Sequence, residues 1–196
     1  MATARIVLVR HSETEWSASG QHTSRTDVPL TDRGRRDAQA LGVALSAYRF
    51  GLVLTSPLSR AADTCRLAGF GAIAEVDDDL REWDYGDYEG VTTPEIRRSV
   101  PGWTVWTHPS PNGEPADEVT ARADRVLARA EPVVESGDDV ALFGHGHMSR
   151  VIGARWLGLA AVDGRRFALD AGSVSELGFE RETRVIRLWN RTVEAY

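Results

Sequence analysis

The chain has 196 residues, 42% of them apolar and 27% charged, with a formal charge of −6 from 23 basic and 29 acidic side chains. That length and composition exclude a disordered chain and fit residues 1–196 as a single domain with one continuous core. The acidic balance argues against nucleic acid or an anionic membrane as partner. A lone cysteine, Cys65, excludes an intrachain disulfide and a cysteine-built zinc site, and no apolar run resembles a membrane span or export signal, which points to a cytoplasmic location.

Ala4 to Arg10 is a continuous, β-branched apolar run, the pattern of a strand buried on both faces of a parallel sheet. A polar stretch through Gly20, Asp27 and Pro29 follows, and Thr31 then opens a helical pattern with Ala38, Leu41, Leu45 and Tyr48 on one face. Gly51 to Thr55 predicts a second strand, and Ser56 or Pro57 starts a helix that runs through Leu67. Ala72 to Val76 reads as a third strand, and Leu80 to Thr93 as an irregular acidic and aromatic segment.

Pro94 to Val100 predicts a short helix and Pro101 to Pro115 a loop, so that 86–117 reads as an excursion able to cover a substrate. Trp103 and Trp106 are expected to pack that excursion on the core. Asp117 to Glu135 has helical spacing of Val119, Ala123, Val126, Leu127 and Ala130. Asp138 to Phe143 is the next strand, capped by Gly144-His145-Gly146-His147, and Met148 to Leu157 is a helix. Ser173 to Phe179 and Thr183 to Asn190 alternate like a hairpin. Strands alternating with helices predict a three-layer α/β/α sandwich with a mostly parallel central sheet and an antiparallel edge, its active site beyond the carboxyl ends of the strands.

Reactive groups fall at those ends: Arg10 and His11 after the first strand, Arg60 past the second, His145 after the fourth. Together they suit phosphoryl transfer. Charge spreads over three equatorial oxygens, which guanidinium forks and a protonated imidazole stabilise without a metal. A neutral His11 attacks in line if its other ring nitrogen donates to a backbone carbonyl. The leaving oxygen needs a proton from a carboxylic acid, and Glu82, Asp84, Asp87 and Glu89 are all candidates on composition. Asp77-Asp78-Asp79 lacks chelating spacing and reads as a solvated turn, and His145-x-His147 has no evident third ligand, so no metal is expected.

The motifs Arg10-His11-Ser12-Glu13-Thr14-Glu15-Trp16, Asp27 to Gly34, Ser56 to Thr64, the Glu82 segment and Gly144-His145-Gly146 follow in an order that resembles the histidine phosphatase superfamily, in its phosphoglycerate-mutase-like branch. The resemblance covers nearly the whole chain. It implies His11 as nucleophile, Arg10, Arg60 and His145 as phosphate clamp, Glu82 as proton donor and Tyr85 on the substrate side. It also implies that Thr23 and Ser24 lie in a loop over the phosphate, and that Ser17 stands where many relatives carry asparagine. Ser12 replaces the usual glycine after the nucleophile, in a backbone conformation expected to be open to any residue.

His147 stands where mutases commonly have asparagine, and Thr93 where they carry a substrate-binding lysine. The remaining pattern is similar to bacterial acid phosphatases and sugar-bisphosphate phosphatases, and the chain is shorter than the mutases, which exposes a phosphoenzyme to water. The resemblance therefore implies a metal-independent, cofactor-free phosphomonoesterase that acts on a small phosphorylated metabolite, of sugar phosphate or phosphoglycerate type, and releases inorganic phosphate. A cofactor-dependent phosphoglycerate mutase is the nearest alternative, and a catalytically idle phosphate- or phosphopeptide-binding module is the alternative of another class. Family analogy also allows a homodimer through an exposed sheet edge.

Overall fold

The computed structural model describes residues 4–193. Strand β1 (Ile6–Arg10) leads into a five-residue helix α1 (Glu15–Ser19) and then α2 (Asp32–Leu45). Strand β2 (Phe50–Thr55), helix α3 (Ser59–Leu67) and strand β3 (Ala74–Val76) follow. Two 3-10 turns and helix α4 (Thr93–Ser99) precede the long helix α5 (Ala116–Ser136). Strand β4 (Asp139–Gly144), helix α6 (Gly146–Trp156), a 3-10 segment (Ala161–Arg166) and the hairpin β5 (Ser173–Glu180) and β6 (Thr183–Thr192) complete the chain.

One six-stranded sheet has the order β3-β2-β4-β1-β5-β6. The first four of these run parallel, and β5 joins β1 antiparallel with β6 outside it. Alternation along β1 separates the two cores. Ile6 and Leu8 pack with Val126 and Ala130 of α5 and Val151 and Ile152 of α6. Val7 and Val9 pack with Leu41 and Leu45 of α2 and with Cys65 of α3. Apolar residues thus occupy both faces of the parallel strands, as the uninterrupted runs predict, and the expected three-layer α/β/α sandwich with an antiparallel edge is what forms. Among the described residues no helix is long and apolar enough to cross a membrane. Burial pushes the Cys65 thiol up to about 12.

Thr31 caps α2 by accepting from Gly34 N at 3.0 Å, as its position in the sequence predicts. Tyr48 lies past the end of α2 and donates to Glu176 instead of extending the helical face. Helix α3 begins at Ser59, later than the expected Ser56 or Pro57, with Leu58 as its cap. The reason is local: Ser56 N is held by Phe143 O and its hydroxyl lies 2.8 Å from His145 Nε2, so this residue is tied to β4 rather than to the helix.

The Asp77-Asp78-Asp79 stretch is a second correction. Asp77 is buried and accepts from Asp79 N and from Arg129, and Asp79 pairs with Arg125 at 2.6 Å. Asp77 and Asp79 are thus anchors between β3 and α5, while Asp78, exposed and paired with Arg81, is solvated as expected. Glu15–Ser19 also forms a helix that its polarity concealed: Thr14 and Ser17 exchange bonds in a capping box, and Gly20, at φ 79°, closes the turn.

Candidate active site

The register of β1 on β4 places Arg10 beside Gly144, so His11 and His145 leave the sheet together. His11 is locked from both sides, its N–H donating to Gly144 O at 2.9 Å and its carbonyl accepting from Gly172 N at 3.0 Å. Its Nδ1 lies 2.8 Å from Ser12 O. A carbonyl only accepts, so Nδ1 carries the proton and the lone pair sits on Nε2. Burial holds His11 well below the usual histidine range, and the charges of Arg10 and Arg60 push the same way. A neutral imidazole with a free Nε2 is the form that attacks phosphorus.

The His145 ring lies 5.3 Å from that of His11, nearly edge-on. Arg10 donates to Leu169 O. Arg60, fully buried in the first turn of α3, donates to the carbonyls of Thr26, Thr23 and Ser24 at 3.0, 3.2 and 3.1 Å. After those bonds, Arg10 Nε, Arg60 Nε and His145 Nδ1 remain buried without a partner among the described residues. Burial and the neighbouring arginine charges together hold His145 well below its ordinary value.

Of the carboxylates left open by composition, the fold brings Glu82 alone to the cavity of about 160 Å³ that also takes in Arg10, His11 and His147. Glu89 is taken up by Ser24 and Thr26, Asp84 by Arg25 and Gly86 N, and Asp87 by Asn112. Glu82 Oε1 accepts from Trp83 N and Met148 N, both at 2.9 Å, and Oε2 from His147 N at 3.0 Å. The carboxylate therefore caps α6, where orphan N–H groups and the helix dipole favour it. Oε2, with a single backbone donor, keeps a lone pair for a proton.

The remaining expected residues fall in different places. Tyr85 is buried and its hydroxyl lies 2.6 Å from His147 Nδ1. Burial raises the Tyr85 pKa well above its ordinary value and lowers that of His147. Thr23 lines the cavity, and its carbonyl holds Arg60. Ser17 is on the same wall, but its hydroxyl is spent on the α1 cap. Ser24 is not on that wall; its hydroxyl donates to Glu89 while its N–H is held by the same carboxylate. Ser12 lies outside the left-handed region, so its position does not require glycine, and its hydroxyl is buried against Gly172. Thr93 faces His22, Oγ1 to Nε2 3.1 Å.

Sequence reasoning missed two arginines. Arg122 on α5 donates to the carbonyls of Asp79 and Arg81 at 2.7 and 2.9 Å and pairs with Glu114, fixing the chain that leads to Glu82. Arg150 on α6 lines the cavity and stacks 4.7 Å from the Trp106 ring. Only helical spacing relative to a known site would have singled out either one.

A fold with parallel strand ends that gather a neutral histidine, two arginines and a capped carboxylate defines a phosphoryl-transfer site. The chain belongs to the histidine phosphatase superfamily (branch 1), whose family model matches residues 6–192, and it is an enzyme of the phosphatase class. An acid phosphatase of Mycobacterium tuberculosis is 44% identical over 190 residues, which cover 96% of this chain and 93% of that protein. A sedoheptulose 1,7-bisphosphatase of Saccharomyces cerevisiae is 37% identical over 188 residues, with 80% of this chain and 69% of that protein covered. The solved structure of a Mycobacterium tuberculosis open reading frame product superposes with a TM-score of 0.93 at 43% identity, covering 97% of this chain and 99% of that one.

Proposed function

We propose that the protein is a metal-independent phosphomonoesterase that hydrolyses a small phosphorylated metabolite, of sugar phosphate or phosphoglycerate type, through a phosphohistidine on His11. The observation that carries this reading is the pair of buried, unpartnered guanidinium donors beside the imidazole, Arg10 Nε and Arg60 Nε, with the unpartnered ring nitrogen Nδ1 of His145 next to them. A buried donor without an acceptor costs about 1–3 kcal/mol, and the oxygens of a bound phosphoryl group would accept from these donors.

In the proposed sequence the phosphoryl group docks on Arg10, Arg60 and His145. His11 Nε2 attacks phosphorus, the ester P–O bond breaks, and Glu82 gives its proton to the leaving oxygen. Water then attacks the phosphohistidine, Glu82 recovers a proton from it, the P–N bond breaks and inorganic phosphate leaves. Tyr85, His147, Thr23 and Ser17 form the wall that faces the rest of the substrate, and segment 86–117 covers it through Trp106. The one cysteine, buried as a thiol, suits a cytoplasmic setting. A homodimer through the β6 edge belongs to the same reading, and size-exclusion chromatography with light scattering tests it.

The deciding experiment is hydrolysis of p-nitrophenyl phosphate in EDTA, with rapid-quench trapping of the phosphoenzyme. Wild type is expected to turn over and to carry an acid-labile, base-stable label. His11→Ala is expected to lose the label and roughly 10⁴-fold or more in kcat. Phosphate release that stops in EDTA, or phosphoglycerate isomerisation primed by a bisphosphate with little net phosphate, would overturn the reading.

A further inference from the structure

Two cavities meet at His22 and His147. The inner one, about 160 Å³, holds the nucleophile. The outer one is wider, about 450 Å³, and is walled by Trp103, Trp106, Thr93, Arg97 and Arg165. The rings of His22 and His147 stand 6.2 Å apart at the junction. Each is set by an aromatic neighbour, Trp103 lying 5.2 Å from His22 and Trp106 5.2 Å from His147.

The outer cavity is charged in one sense only. The chain has more acidic than basic residues, yet no carboxylate lines this space, while two arginines do. Neither arginine makes an ion pair among the described residues, although their neighbours Arg98 and Arg166 lie beside Glu95 and Asp163. Arg97 is aimed rather than loose: its Nε donates to Trp103 O at 2.8 Å, leaving both terminal nitrogens for a ligand. Arg165 is placed from the other side. A Cβ at Gly164 would stand 2.9 Å from the Trp106 ring, so glycine there lets the 3-10 segment close onto Trp106. Arg150 secures that segment by donating to the carbonyls of Gly164 and Arg165 at 3.1 and 3.3 Å.

We infer that this outer cavity is a specificity subsite for a second anionic group on the substrate, a phosphate or a carboxylate, held by Arg97 and Arg165 while the scissile phosphate sits at His11. The inference rests on the phosphatase reading and narrows it to phosphomonoesters with an anionic far end. A cleft of one sign concentrates ligands of the other sign, and guanidinium forks match either oxyanion in two-point contacts. The carbon skeleton would run along the edges of His22 and His147 at the junction, and burial keeps both from competing as cations: His22 is lowered to about 4, and His147 is well below its ordinary range.

Three six-carbon probes separate the possibilities: fructose 1,6-bisphosphate, 6-phosphogluconate and glucose 6-phosphate. Wild-type kcat/KM is expected to be about tenfold or more higher for the bisphosphate, the phosphogluconate or both than for glucose 6-phosphate, mainly through KM. Whichever of the two is preferred identifies the anion. Arg97→Gln/Arg165→Gln should bring that ratio to near one, and 0.5 M salt should erode it in wild type. Because Arg97 also holds Trp103, Arg165→Gln alone is measured as well and should lower the ratio by several fold. No preference in wild type, or a ratio unchanged in both variants, overturns the subsite even when p-nitrophenyl phosphate is hydrolysed. Failure to hydrolyse p-nitrophenyl phosphate or any of the three sugars overturns the phosphatase reading, and the subsite with it.

Discussion

The two ends of the central sheet treat buried charge in opposite ways. At the amino end, Glu176 accepts from Tyr48 and from Arg5 at 2.8 Å, while Asp139 accepts from Arg5 N and Arg49 N at 2.9 and 3.1 Å. The carboxylate oxygens there each have a donor, and the cluster holds β1, β4 and β5 together. At the carboxyl end, Arg10, Arg60 and His145 gather with nitrogen atoms left over. A fold that pairs its charges completely at one end and incompletely at the other reserves the second for a ligand. The first cluster serves stability and the second serves binding.

Substitutions at each end test that contrast. The largest effect is expected from Glu82→Gln, which keeps the shape of the α6 cap but cannot donate a carboxylic proton: kcat should fall roughly 10²–10⁴-fold for esters with poor leaving groups and much less for p-nitrophenyl phosphate. Stopped assays with both substrates check it. Arg10→Met should cost about 10²–10³-fold in kcat/KM. It gives up one bond, to Leu169 O, and removes an unpaired buried Nε, so its denaturation midpoint should stay close to wild type, and a large loss of stability would contradict the contrast. Glu176→Ala should behave inversely, losing about 2 kcal/mol in urea denaturation with kcat unchanged.

The mildest change at neutral pH comes from acid titration. His22 is lowered to about 4 in the fold, against 6.5 in an unfolded chain, and His11, His145 and His147 are lowered in the same sense. Below 6.5 the unfolded state binds protons that the folded state refuses, so stability is full above 6.5 and declines as pH falls toward about 4. His22→Gln should leave stability at pH 7 nearly unaltered and flatten that decline, as read by thermal melts from pH 7 to 4.

Much of this site was legible before any coordinates. A buried parallel strand places the next residue at the sheet's carboxyl edge, so Arg10, His11 and His145 could be brought together from hydrophobic runs alone. The carboxylates resisted that treatment. Glu82 and Glu89 lie in one irregular segment, and what separates them is which partner folds over each: the α6 amino terminus for Glu82, the 24–26 loop for Glu89. Ser24 shows the same limit, since a loop's position along the chain does not fix which way its hydroxyl turns. Arg122 and Arg150 were invisible because each reaches from a helix to carbonyls of a segment remote in sequence.

Cys65, packed between α3 and the sheet as a neutral thiol, bears on how the enzyme tolerates its surroundings. Thiolate nucleophiles are the usual point at which peroxide or alkylating agents silence a phosphatase. Here the proposed nucleophile is a ring nitrogen, and the chain's one cysteine sulfur is both hidden and protonated. Catalysis of this kind would continue through oxidative stress that switches thiol enzymes off. The same feature leaves the surface clear for a single engineered cysteine, so a fluorophore placed on the rim of the outer cavity would report ligand binding without removal of the native residue.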